Sequence, residues 1–140
     1  MALNTIIIAL DSSNQSQQII DALKYLSIQP SSKIILSHVL SASRNASDLD
    51  VEKPHQSQET IYQQIEKKLH SYQNNFSCNT EIEIVSGDPA EEIIRLANIY
   101  NADLIVIGNR GLTGVKRVIE SVSSQVVADA NCSVLVVKLT

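Results

Sequence analysis

Apolar residues along this chain fall into five short runs separated by stretches of helical spacing. Thr5-Ile6-Ile7-Ile8-Ala9-Leu10 is continuously apolar after its first residue and stops at the polar cluster Asp11-Ser12-Ser13-Asn14. A short run without alternation is the pattern of a strand buried on both faces, as in a parallel sheet. The polar cluster predicts helix N-caps, and Ile19, Ile20, Leu23 and Leu26 follow at helical spacing, with Pro30 beyond the stop. Lys33–Val39, built on Ile34, Ile35 and Leu36, predicts a second buried strand. Glu81-Ile82-Glu83-Ile84-Val85 alternates instead, which predicts a third strand with one wetter face at a sheet edge. Leu104-Ile105-Val106-Ile107 is the most strongly apolar run and ends directly in Gly108, and Ser133–Leu139 predicts a fifth strand.

Between these runs the period changes. Ile61, Ile65, Leu69 and Tyr72 predict one helix, and another is expected to carry Val122, Val126, Val127 and Ala130. Ser86-Gly87-Asp88-Pro89-Ala90-Glu91 is a helix start. Asp88 is placed as N-cap, Pro89 at the first helical position, and Glu91 to return a bond to the cap. Ile93, Ile94, Leu96, Ala97 and Tyr100 form its buried side. The polar stretch 41–56 has little periodicity and reads as a mobile loop. Strict alternation of strand and helix implies a single α/β domain over residues 1–140, a five-stranded parallel sheet with helices on both faces. Strand order 3-2-1-4-5, as in Rossmann-like folds, puts a switch point between the first and fourth strands. Ligands of open α/β sheets bind at such points, and Asp11 and Gly108 end those two strands.

Charge and composition narrow the function. The net charge is −4 with no basic run, which argues against a nucleic-acid partner. No apolar stretch approaches the ~20 residues that span a bilayer, and the N-terminus carries no signal-peptide pattern, so the expected location is the cytoplasm. Cys78 and Cys132 lack CxxC spacing and read as buried free thiols. His38, His55 and His70 have no metal-ligand spacing, and His38, at a strand end, reads as a hydrogen-bonded structural residue. Glu81 and Glu83 share one strand face and read as a solvated edge. Ser12 and Ser13 read as caps, since no base is placed to activate a nucleophile.

Three of the four glycines, Gly108, Gly111 and Gly114, lie in Gly108-Asn109-Arg110-Gly111-Leu112-Thr113-Gly114. Glycines after a strand and before a helix let backbone N–H groups turn toward an anion, and the helix that follows adds the positive end of its dipole. Arg110, Lys116 and Arg117 add positive charge. A turn that merely needs backbone freedom is the alternative. The stretch is neither a P-loop, lacking G-K-[ST], nor G-x-G-x-x-G.

The segment from Gly87-Asp88-Pro89-Ala90-Glu91 through Asn101-Ala102-Asp103-Leu104-Ile105-Val106-Ile107-Gly108-Asn109-Arg110-Gly111, Ser121-Val122-Ser123 and Cys132-Ser133-Val134-Leu135-Val136-Val137 resembles the universal stress protein family. The opening Ile6–Ser13 does so too. The resemblance implies an adenine-nucleotide site, with ATP, aided by Mg²⁺, as its ligand. Asp11 would face ribose and adenine, and the Val39 backbone would bond the adenine edge. Gly108, Arg110 and Gly111 would wrap ribose and phosphates, and Ser121, Val122 and Ser123 would offer N–H and hydroxyl groups to the phosphates. It also implies a homodimer through Ser133–Leu139. The family's G-x2-G-x9-G-[ST] motif is met only in part: its third glycine is missing, and Glu120 stands before the serines. That departure leaves a second reading, a dimeric interaction protein of the same family without nucleotide binding. A third, an adenylate-forming enzyme of the adenine nucleotide α-hydrolase type, calls for an SGGxD-type or HIGH-type loop after the first strand. Here that loop is Asp11-Ser12-Ser13-Asn14. With no Walker lysine and no evident general base, no efficient enzymatic turnover is expected.

Overall fold

The computed structural model describes residues 3–11, 15–40, 58–109 and 121–140. Its strands are β1 (Thr5–Ala9), β2 (Lys33–Leu40), β3 (Asn79–Ser86), β4 (Leu104–Asn109) and β5 (Ser133–Lys138). They form one parallel sheet in the order β3-β2-β1-β4-β5, as the alternation of patterns predicts. The helices are α1 (Ser16–Ala22), continued by a 3-10 turn at Leu23–Tyr25, α2 (Gln58–Gln73), α3 (Pro89–Ile99) and α4 (Ser121–Asp129).

Strand alternation sorts the apolar side chains into two layers. Ile6, Ile8, Ile34, Leu36 and Val106 meet Ile19, Ile20, Leu23, Leu69 and Tyr72 of α1, its 3-10 turn and α2. Ile7, Ile35, Ile105 and Ile107 meet Ala90, Ile93, Leu96 and Ala97 of α3 and Val126 of α4. The three central strands are therefore buried on both faces. Burying each large aliphatic side chain there contributes about 1.5–3 kcal/mol, and this is why their runs show no alternation.

Local signals are met with two corrections, at the N-cap of α1 and at the cysteines. Asp88 caps α3 as expected, accepting from the Glu91 N–H at 3.1 Å. The N-cap of α1 is Gln15, which makes no side-chain capping bond, rather than a residue of the polar cluster ahead of it, of which Ser12–Asn14 lie outside the described residues. Of the apolar residues expected on α4 and its end, Val122, Val126 and Ala130 pack toward the sheet and Val127 is exposed. The two cysteines are free but half-buried. The loop expected over 41–56 also lies outside the described residues. Both layers are anchored at the N-terminal ends of the strands. There the Asp103 carboxylate accepts from the N–H groups of Asn4 and Thr5 at 2.9 and 3.0 Å, tying β1 to β4.

Candidate functional site

The strands do not end level. The ladder register of β1 stops at Ala9, opposite Ser37 of β2 and Ile107 of β4, with one further bond from Leu10 N–H to the Ser37 carbonyl at 2.9 Å. The second strand runs on through His38, Val39 and Leu40 against β3, and β4 runs on through Gly108 and Asn109 against β5. A notch therefore opens over the end of β1, walled by the tips of β2 and β4, at the topological switch point.

Asp11 leaves β1 at the floor of this notch and is exposed. Its main-chain oxygen accepts from Ser16 Oγ at 2.9 Å, and its Oδ1 lies 3.4 Å from the same hydroxyl. Ser16 is fully buried in the first turn of α1, so the helix start and the strand end are held as one unit. One residue earlier, the Leu10 carbonyl accepts from His38 Nδ1 at 2.9 Å. A carbonyl only accepts, so Nδ1 carries the proton in this contact. Burial holds the His38 imidazole below its ordinary range; the Leu10 bond and the nearby Asp11 carboxylate oppose this more weakly. Tyr72 of α2 lies beside Ser16 and Asp11, and burial pushes its phenol up. The expectation for His38, a hydrogen-bonded strand-end residue, is met.

On the other wall Gly108 belongs to β4 itself, and its backbone does not require a left-handed conformation. A Cβ there would stand 2.7 Å from Leu139 Cδ1 and 3.0 Å from Ile19 Cδ1. Close packing between the chain after β5 and α1 accounts for this glycine. That chain is held firmly: Leu139 N–H donates to the Asn109 carbonyl at 2.9 Å. The Gln18 side chain pairs with both the N–H and the carbonyl of Thr140, at 3.0 and 3.2 Å.

The first turn of α4 approaches the same end of β4. Ser121, Val122 and Ser123 open this helix, and the first N–H groups of any helix have no intrahelical acceptor. Ser123 is buried, and its Oγ accepts from Asn109 Nδ2 at 2.6 Å. Asn109 is the residue that pattern reading passes over. The signal for it is its place two residues after Ile107, which turns its side chain to the α4 layer. Val39, on the opposite wall, packs against that layer too. Asp11, Val39, Gly108, Val122 and Ser123 thus come from four elements to one end of the sheet. Arg110, Gly111 and Glu120, which stands before the serines where the motif glycine is missing, lie outside the described residues.

The acidic pair on β3 is not simply solvated. Glu81 binds Lys33 at 2.6 Å, and the Tyr100 hydroxyl donates to Glu83 and also reaches Glu81 at 3.2 Å. Both carboxylates raise the Tyr100 phenol, Glu83 most strongly. This cluster sits on β3 and α3, away from the notch. Among the described residues no helix is long and apolar enough to cross a membrane.

Comparison with known proteins agrees with this architecture. A universal stress protein of Methanocaldococcus jannaschii is 40% identical over 73 residues, covering 51% of this chain and 43% of that protein. The chain thus aligns with less than half the length of that relative. A universal stress protein of Mycobacterium tuberculosis is 28% identical over 144 residues, covering 99% of each. Among solved structures, a universal stress protein in complex with cAMP superposes with a TM-score of 0.71 at 24% identity, covering 99% of this chain and 98% of that one. A universal stress protein of Archaeoglobus fulgidus in complex with dAMP gives 0.59 at 17% identity, covering 99% of this chain and 100% of that one. At these identities the likeness to solved structures is one of fold. The family model described as the universal stress protein family matches residues 3–138, and with nearly the whole chain matched, this protein belongs to the universal stress protein family.

Proposed function

We propose that the notch over the end of β1 binds an adenine nucleotide, ATP with Mg²⁺, and that the protein acts as a regulator of the cytoplasmic stress response rather than as an enzyme. The observation that carries this reading is the uneven ending of the strands. With β1 stopping short of β2 and β4, the end of β1 lies between two longer strand tips at the switch point, the position at which open α/β sheets bind ligands. The groups around the gap fit the ligand. The Asp11 carboxylate is an acceptor for ribose hydroxyls, and the first N–H groups of α4 and the Ser123 hydroxyl are donors for phosphate oxygens. Mg²⁺ would come with the phosphates as their counter-ion. Two fold neighbours solved with adenylates support the same ligand class. The half-buried free thiols suit a reducing compartment. Two copies would join through Ser133–Leu139.

Calorimetry with ATP, ADP and AMP tests the reading. ATP should bind at micromolar or weaker affinity, since the motif glycine is missing and Glu120 stands directly before the serines, which puts a carboxylate next to the phosphate donors in sequence. Asp11→Ala should weaken all three ligands while the protein stays folded. Absence of heat with every adenylate at millimolar concentration would instead favour a dimeric interaction protein of the family that has lost its ligand.

A further inference from the structure

We propose that His38 is a positioning residue that ends the β1–β2 ladder one rung early and so keeps the Val39 main chain open as an edge for the nucleotide's base. The inference rests on the adenine-nucleotide reading and deepens it: it names what holds that edge free.

Along β2 the main chain turns alternately to its two neighbours. Lys33 N–H donates to the Asn4 carbonyl at 2.7 Å, and the Ser37 carbonyl accepts from Leu10 N–H at 2.9 Å, so the odd-numbered residues face β1. The Leu40 carbonyl accepts from Gly87 N–H at 3.0 Å, so the even-numbered ones face β3. Val39 N–H and C=O therefore face the β1 side, at a level that β1 does not reach. In a parallel ladder the rung after Leu10 N–H would join the Leu10 carbonyl to Val39 N–H. Among the described residues that main-chain bond does not form. The Leu10 carbonyl accepts from His38 Nδ1 at 2.9 Å instead.

The sheet's layering explains the exchange of donors. Ile34 and Leu36 pack in the layer of α1 and α2, and by strand alternation His38 lies on that same face. The chain leaving β1 rises toward this layer to begin α1. Leu10 packs in it, and the Asp11 carbonyl is tied to Ser16 Oγ. The Leu10 carbonyl is thus met by a buried imidazole rather than by the next main-chain N–H. A carbonyl in such a place needs a donor. Without the imidazole, the donor that the ladder would supply is Val39 N–H, and the rung would close over the edge. A donor and an acceptor on one residue suit the adjacent ring nitrogen and amino group of adenine, whereas the 6-oxo base of ITP presents the opposite polarity.

The test is amide hydrogen exchange by nuclear magnetic resonance, paired with calorimetry against ATP and ITP. Both are run on the whole protein as wild type, His38→Ala, His38→Gln and His38→Asn. Asparagine places an amide N–H where Nδ1 stands; glutamine carries it one carbon further out. In the unliganded wild type the Val39 amide should exchange at least about tenfold faster than that of Ser37, which lies within the ladder. His38→Ala and His38→Gln should slow the Val39 amide and weaken ATP about tenfold, the loss of one hydrogen bond. ITP should change less than about twofold, and His38→Asn should restore both the exchange and the preference for ATP. A Val39 amide as protected as that of Ser37 in the unliganded wild type would show the rung already closed and overturn the inference. So would wild-type exchange of Val39 in His38→Ala, or equal weakening of ATP and ITP, which would leave His38 a packing role only. Should His38→Ala fail to fold, the contrast between asparagine and glutamine carries the same comparison. Failure of the wild type to bind any adenylate is a different result: it overturns the nucleotide reading and the base assigned to this edge, whereas the Val39 exchange holds or fails independently of any ligand.

Discussion

His38 is the titratable side chain most tightly built into the notch. Its Nδ1 proton is committed to the Leu10 carbonyl, and burial disfavours its charged form despite the opposing Leu10 bond and Asp11 carboxylate. The folded state therefore takes up this proton at lower pH than the unfolded chain, whose histidine titrates near its ordinary value of about 6.5. The stability His38 contributes is present above that value and is lost as pH falls toward the depressed folded value. The urea midpoint of the wild type should fall more steeply between pH 7 and pH 5 than that of His38→Asn, whose amide can take the place of the Nδ1 donor without titrating. Parallel pH profiles for the two proteins would remove His38 as the source. A strand-end histidine was expected to be hydrogen-bonded from its position alone, but its partner lies 28 residues away. Such a pairing follows from sheet register, which no local pattern contains. Gly108 teaches the same point. Its place at the end of an apolar run is legible, yet the reason it has no side chain is contact with Ile19 and Leu139, residues on two other elements.

At the scale of elements, the ends of α3 separate what is local from what is not. Its start is written in contiguous residues, with Asp88 as cap and Pro89 behind it, and the cap forms as read. Its end is written less plainly. Asn101 takes a left-handed backbone, φ 51°, while Ala102 N–H reaches back to the Ala97 carbonyl at 2.8 Å and Asn101 N–H to the Asn98 carbonyl at 3.3 Å. This is the two-bond closure that glycine usually provides at a helix end, here carried by asparagine, the non-glycine residue that tolerates such a φ best. Asn101→Ala should cost about 1 kcal/mol, and Asn101→Gly should be no less stable than wild type, with unchanged denaturant slopes for both. An alanine variant as stable as wild type would show that the turn relaxes without strain. The strand lengths are the other non-local feature. Runs of apolar residues predict that β2 and β4 exist, but their extra residues past β1 depend on neighbours that keep pairing beyond it. The notch itself is therefore visible only once the sheet is assembled.

The whole sheet has two edges, and they differ. On β3 the edge carries Glu81 and Glu83, engaged by Lys33 and Tyr100; charged side chains of this kind discourage further strand pairing. On β5 the residues Val134, Leu135, Val136 and Val137 are all partly exposed, and only Lys138 brings a charge. The backbone direction on β5 can be read from one bond. Leu139 N–H points to β4, so by strand alternation Leu135 and Val137 also face β4, while Val134, Val136 and Lys138 present their N–H and C=O groups outward. An outward row of this kind on an apolar strand is open to pairing. A second copy related by a twofold axis would satisfy both edges at once, and closed twofold dimers are the commonest oligomers. The expected species in light scattering is thus a dimer, at twice the 15.4 kDa of one chain. Val136→Pro makes the test selective. Proline removes an outward N–H that β4 does not use, so the β4–β5 ladder should survive while the intermolecular pairing loses a donor and meets the proline ring. The variant should scatter as a monomer with its far-ultraviolet circular dichroism unchanged. A wild type that is monomeric, or a folded variant that remains dimeric, would move the interface away from β5.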